Sequence, residues 1–392
     1  MTASVYMTLP MRKQSISHQW KTTIQENIEG DEKRSAIFTW PRVNFDISLG
    51  LSFPSHRRFI RAHLYRNIHN TWGIPIRYDQ SVLTAQAASG QAILTLDNTD
   101  NRHFYDGRGC ILLSPSNWLS YEFATILTVD SSTQITLSAN LISTWPTGTL
   151  VFPCYECRIN PIHQITVKER NVNDLFLDAK ESFEVDRSFT YSVPASDAAT
   201  YDGLDLFVRH PVLPVQEIFK HPFDLHVFWG KQYVQSDYDK TRFSWQRSYL
   251  LTGRADIYNM LNFFDSKQGR FQPFYTPTWA DDLIVTGAIL AADTTLTIDP
   301  EVYLSSAEII NRHIYIQFPN GTYTCRKVIG LPASTTVQLD GAVGTAVAVG
   351  DVNKMMVCFL YKVHFGTDDI EIDFYPAENA AKTNISLDGV WE

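Results

Sequence analysis

The chain has 392 residues, 44% of them hydrophobic and 19% charged, with a formal net charge of −9. That length is enough for two to four domains with real cores, and the acidic balance argues against a general nucleic-acid binder, which needs clustered Lys and Arg. No run of about 18 apolar residues is present to cross a membrane as a helix, and the opening residues lack the pattern of a secretory signal.

Residues 1–35 read as a polar N-terminal arm with Trp20 and Ile24 as lone anchors. A first unit follows over residues 36–159. It opens on Phe38-x-Trp40-x-Arg42, then a helix from Pro54 to Ile68, with Phe59, Ala62, His63 and Arg66 along one side. Pro54 suits the first helical turn. After Trp72-x-x-Pro75 come period-2 strands near residues 92–97, 110–113, 133–137 and 150–154, separated by Ser89-Gly90 and Asp106-Gly107 turns.

Residues 160–240 read as a connecting β segment, with strands near 165–168, 183–186 and 225–230 and a small, polar linker over 192–202. The second unit, residues 241–366, repeats the plan of the first. It opens on Phe243-x-Trp245-x-Arg247 and continues into a helix whose Ile257, Met260, Leu261 and Phe264 fall at i, i+3, i+4 and i+7. Gly269 suits the left-handed stop of that helix. An extended aromatic run, residues 270–279, contains Phe274, Tyr275 and Trp279. Strands near 294–299, 314–317, 335–339 and 356–360 close the unit. Residues 367–392 read as a C-terminal strand and polar tail.

Six features recur in the same order at an offset of about 202 to 206 residues, the signature of an internal repeat. The expected fold is therefore mainly β with a few short helices. Two tandem strand–helix units are each followed by a small β-barrel or sandwich.

No catalytic signature is present: there is no G-x-S-x-G, Walker A, G-x-G-x-x-G or H-E-x-x-H. The chain reads as a non-enzyme without cofactor or metal. Cys154 and Cys157 form a C-x-x-C, but no second ligand pair follows and the context is a strand, where i and i+3 point to opposite faces. The five cysteines read as reduced and buried. Asp281-Asp282 and Asp368-Asp369 read as turn or capping carboxylates. The candidate anchors for a protein interface are Trp40, Arg42, Trp245, Arg247, Phe274, Tyr275 and Trp279. Aromatic–Arg pairs on one strand face serve either as interface anchors or as stacked core pairs.

The helix ending in Phe263-Phe264-Asp265-x-Lys267-x-Gly269-Arg270, then Tyr275-x-Pro277-x-Trp279 and Asp281-Asp282-Leu283, resembles the tail-tip or baseplate proteins of long-tailed bacteriophages and gene transfer agents. Trp20-Lys21-Thr22, Gly30, Glu32-Lys33-Arg34 and Trp40-Pro41-Arg42 resemble the opening of the same proteins. The resemblance implies a virion structural protein, made in the host cytoplasm and assembled at the distal end of the tail tube. Its partners would be copies of itself, as a trimer of pseudo-sixfold symmetry or a hexamer, and neighbouring tail proteins. The alternative is a glycan- or receptor-binding tail module.

Overall fold

A computed structural model describes residues 5–390 apart from 10, 27–31, 164, 170–171, 183–197, 221–222, 229–230, 237–241, 300–308 and 376–379. The strand expected at residues 183–186 and most of the linker over 192–202 fall outside the described residues. The first half of the chain contains β1 (Val5–Tyr6), β2 (Met11–Gln19), β3 (Thr22–Glu26), β4 (Glu32–Ala36), β5 (Arg42–Leu51), α1 (Pro54–Asn67) and β6 (Trp72–Pro75). It continues through β7 (Ser81–Val82), β8 (Ile93–Thr95), β9 (Gly109–Leu113), β10 (Tyr121–Ser131), β11 (Gln134–Leu137), β12 (Leu150–Ile159), β13 (Ile165–Glu169) and β14 (Val172–Glu181). A short hairpin, β15 (Thr200–Tyr201) and β16 (Leu204–Asp205), leads into the second half. There follow β17 (Val212–Lys220), β18 (Phe223–Phe228), β19 (Lys231–Ser236), β20 (Arg242–Thr252), α2 (Arg254–Ser266) and β21 (Phe274–Pro277). The last elements are β22 (Thr295–Thr297), β23 (His313–Gln317), β24 (Tyr323–Ala333), β25 (Thr336–Leu339), β26 (Met356–Phe365), β27 (Asp369–Phe374) and β28 (Ala380–Gly389).

Apart from β7, each element from β2 to β14 has a counterpart from β17 to β28, and the ladders match residue for residue. Cys157 faces Trp72 where Val363 faces Phe274. Leu150 faces Leu113 where Met356 faces Gln317. Lys180 faces Asn44 where Asp388 faces Ser244. The chain entry recurs too: Val5 pairs in parallel with Trp72, and Leu206 with Tyr275. The recurring unit thus takes in the residues read as an arm, a connector and a tail. Residues 11–19 are a full strand, and the connector contains the end of one unit and the start of the next.

One expected equivalence is corrected by this register. Asn44 matches Ser244, so Trp245 corresponds to Phe45 and Arg247 to Ile47; Trp40 and Arg42 have no part in that match. The rings agree: Phe45 meets Tyr155 at 5.5 Å and Trp245 meets Tyr361 at 5.4 Å, with Tyr155 and Tyr361 at matching places in β12 and β26. The two Phe-x-Trp-x-Arg triplets are a coincidence of composition.

Eight antiparallel strands form one continuous run, in the order β13, β14, β5, β2, β27, β28, β20, β17. Its outer two strands are the edges, and the β2–β27 ladder in the middle joins the halves. Alternation decides its two faces. Val43, Phe45, Ile47 and Leu49 of β5 and Trp245, Tyr249 and Leu251 of β20 point into one shared core with both helices. Asn44, Asp46 and Ser48, with Gln246 and Ser248, point the other way.

The expected barrels are not closed. Residues 121–125 of β10 pair with β9 in the large sheet, and residues 126–131 pair with β11, which pairs with β8. Register shifts between Ile126 and Thr128 and between Val129 and Ser131 interrupt the β10–β11 ladder just beyond the point where β10 leaves the large sheet. The second unit repeats this arrangement through β24. Each open unit keeps its own apolar cluster, around Leu94, Ile126 and Ile135 in the first and Leu296, Val328 and Val337 in the second.

The stripe expected on α2 is buried throughout, and Gln268 and Gly269 end the helix at positive φ. A Cβ at Gly269 would stand 2.8 Å from Asp368, so glycine is required there for both conformation and space. On α1 the expected face is corrected: His56 and Ile60 are buried, whereas Ala62 and Arg66 are exposed. Phe59 and His56 instead pack edge-on against Trp118.

Candidate assembly interface

The seam between the halves is held by buried polar contacts. Ile16 faces Ile372 and His18 faces Ile370 across β2 and β27. Above this ladder α2 of the second half lies on the first half. Asp265, buried, accepts a hydrogen bond from Trp20 Nε1 at 2.9 Å and meets His18 Nδ1 at 2.8 Å. Arg254 reaches Asp79 at 3.2 Å, Asp79 also holds His103, and the Tyr258 hydroxyl meets that of Tyr105. Asp368 accepts from Thr22 N and Thr22 Oγ1 at 2.7 and 2.8 Å, tying β3 to the second half. A cavity of about 20 Å³, lined by His18, Trp40, Arg108, Tyr155, Tyr258 and Asp265, lies within the seam and has room for about one water. Among the described residues the buried Nε2 of His18 has no hydrogen-bond partner.

The expected anchors separate into two groups. Trp245, Arg247, Phe274 and Tyr275 are buried within the chain's own core. Arg247 donates to Thr276 Oγ1 at 2.9 Å and to Pro277 O at 2.8 Å, with its guanidinium 4.6 Å from the Trp245 ring. Burial holds its pKa below the usual arginine value. Trp279, at φ +62°, is part-buried between His210 and Tyr315. Trp40, 40% exposed, sits at the seam cavity, and Arg42 lies over the Phe38 ring at 4.2 Å.

Compared with family models and with characterised proteins, the chain matches none. Within the described residues the edge strands β13 and β17 have no outer partner. An uncovered edge is a template for pairing. These edges are also apolar: Ile162, Val167, Leu213 and Phe219 are all more than half exposed.

Helix α1 shows the same incompleteness. Counting from the matched strands β5 and β20, Ile60 corresponds to Met260 and Leu64 to Phe264, and all four face the core. The α2 face that covers the first half, Tyr258, Leu261, Asn262 and Asp265, then corresponds to Arg58, Arg61, Ala62 and Tyr65 on α1. All four α1 residues are exposed, Tyr65 by 86%. No local motif signals this surface in the sequence; it emerges when one half is laid on the other.

The remaining sequence features have structural places. Cys154 packs with Ile111 and Phe152, and Cys157 lies in the main core on the opposite face; burial pushes both thiols well above their usual range. Asp282 accepts from Thr278 Oγ1 and from Phe359 N at 2.7 Å, as a turn carboxylate does.

Proposed function

We propose that this chain is a virion structural protein of a phage tail tip or baseplate, closing with copies of itself into a ring at the end of the tail tube. The observation that carries the reading is the eight-stranded sheet. Its two halves meet through one internal seam, and its two outer edges are the counterparts of the strands that make that seam. Three such chains would supply six like units and one closed band of twenty-four strands, leaving no free edge. A tube of sixfold rings is met by such a trimer. The resemblance over residues 263–283 and 20–42 supports the phage setting, and neighbouring tail proteins are the remaining partners.

The test is the mass and symmetry of the assembled particle, by native mass spectrometry and electron microscopy. A trimer with six similar lobes is expected. A hexamer with twelve lobes overturns the trimer, and a protein that stays monomeric at every concentration and in the presence of its neighbouring tail proteins overturns self-assembly.

A further inference from the structure

The internal seam specifies how the two open edges meet. By the ladder register, Ser15 to Gln19 of β2 correspond to Gln216 to Lys220 of β17, because Ser15 faces Asp46 and Gln216 faces Gln246. Asp373 of β27 corresponds to Thr166 of β13, because Asp373 faces Lys382 and Thr166 faces Asp174. The seam pairs Ser15 with Asp373 and Gln19 with Asp369. We infer that β17 of one chain pairs antiparallel with β13 of a second copy, Gln216 facing Thr166 and Lys220 facing Ile162, while the second copy's α1 covers that join as α2 covers the internal one. The inference rests on the self-assembly proposed above and adds its register.

Three observations fit this occupant. Phe219 is 66% exposed on the core side of β17, at the counterpart of His18. Tyr65 stands at the counterpart of Asp265, the residue that His18 contacts. The buried polar pair of the internal seam thus becomes an aromatic pair, Phe219 against Tyr65 of the second copy. Such a pair needs no buried charge to be satisfied when two separately folded chains meet. Finally, α1 has Arg57, Arg58, Arg61 and Arg66 and no acidic residue. The surface it would approach carries Asp281, the counterpart of the Asp79 that α2 reaches through Arg254; Pro54 stands at the Arg254 position, so Arg57 or Arg58, one turn on, would supply the positive charge there.

The test uses the full chain. Gln216→Cys with Thr166→Cys, mildly oxidised, should give disulfide-linked multimers on a non-reducing gel that collapse with reductant. Either change alone should stay unlinked, since the five native cysteines are buried. Gln216→Cys with Ile162→Cys places the thiols four residues out of register, roughly 13 Å along the strand, and should not link. A particle that assembles but links in neither pair, or equally in both, overturns the register and leaves self-assembly standing. Absence of any assembled particle overturns both. As a second reading, Phe219→Asp should leave the melting of the dilute chain unchanged and weaken assembly at least tenfold; unchanged assembly overturns the seam.

Discussion

Arg247 shows how one residue position can be solved twice. Its counterpart Ile47 is buried in the same register, and the Thr276 that receives its hydrogen bond has Ile74 as counterpart. An apolar pair in the first half is thus a hydrogen-bonded cation in the second. Arg247→Ala leaves Thr276 Oγ1 and Pro277 O without this donor and opens a cavity, so it should cost about 2–4 kcal/mol in denaturant unfolding. Importing the first half's pair, Arg247→Ile with Thr276→Ile, should recover most of that loss, the usual result when a buried ion is replaced by packed hydrocarbon. His364 gives a second test. Burial, with Arg34 adding to it, lowers its pKa to about 3 from an ordinary 6.5. Unfolded, the ring takes a proton near 6.5, whereas the folded ring resists one until about 3. Its stabilising contribution is therefore complete above 6.5 and lost as pH falls through that window. Between pH 7 and 5 the loss should reach about 1–2 kcal/mol, and His364→Gln should remove that part of the slope when compared with the parent chain.

At the scale of elements, the two helices behave differently because one has its partner inside the chain. Asp265→Ala on α2 deletes the acceptor of Trp20 and the partner of His18, both buried, and should cost about 2–4 kcal/mol. Tyr65→Ala, at the matching turn of α1, should change the stability of the dilute chain by less than about 0.5 kcal/mol, as exposed substitutions do. Equal losses would mean that the α1 face is already satisfied within the chain. The same difference explains what the sequence reveals. The stripe of α2 was legible because Ile257, Met260, Leu261 and Phe264 all bury within one chain. The face of α1 is hard to read because Arg58, Arg61 and Tyr65, at the places of buried or covering residues on α2, are exposed in the chain. Strands β8, β9, β11 and β12 and their counterparts were legible from apolar alternation between turn residues. Strand β28 reads as tail because its buried positions include Ala381 and Thr383, and β2 as an arm because Gln14, Ser15 and His18 are buried polar residues. The doubled plan was legible, while its true register needed the ladders, since Phe45 and Trp245 share a role and no letter.

For the whole molecule, the sheet's two faces decide what a closed ring would enclose. Both helices and the shared core lie on one face, so a ring can close only with the other face inward. That face carries Asp46, Asp174, Asp178, Asp369, Glu371, Asp373 and Asp388, against Lys13, Arg42, Lys180 and Lys382, with Arg12 and Lys168 paired to Asp174. The carboxylates repel one another: Asp46 is held above the usual carboxylate range by burial and then by Asp178 and Glu371. Lys13, 2.7 Å from Asp373, offsets part of this charge. A bore of this kind would repel a phosphate backbone, in keeping with the chain's overall −9. The assembled protein should therefore show no retention of duplex DNA even at low salt. Asp178→Lys with Glu371→Lys would turn the same face cationic. DNA should then bind, with the dependence of log Kd on log salt steepening by about 0.9 for each phosphate contacted. Gel-shift titration over a salt series reads both outcomes. Tight binding by the unaltered ring would mean that the acidic face does not line the bore, and with it would go the closure drawn from this sheet.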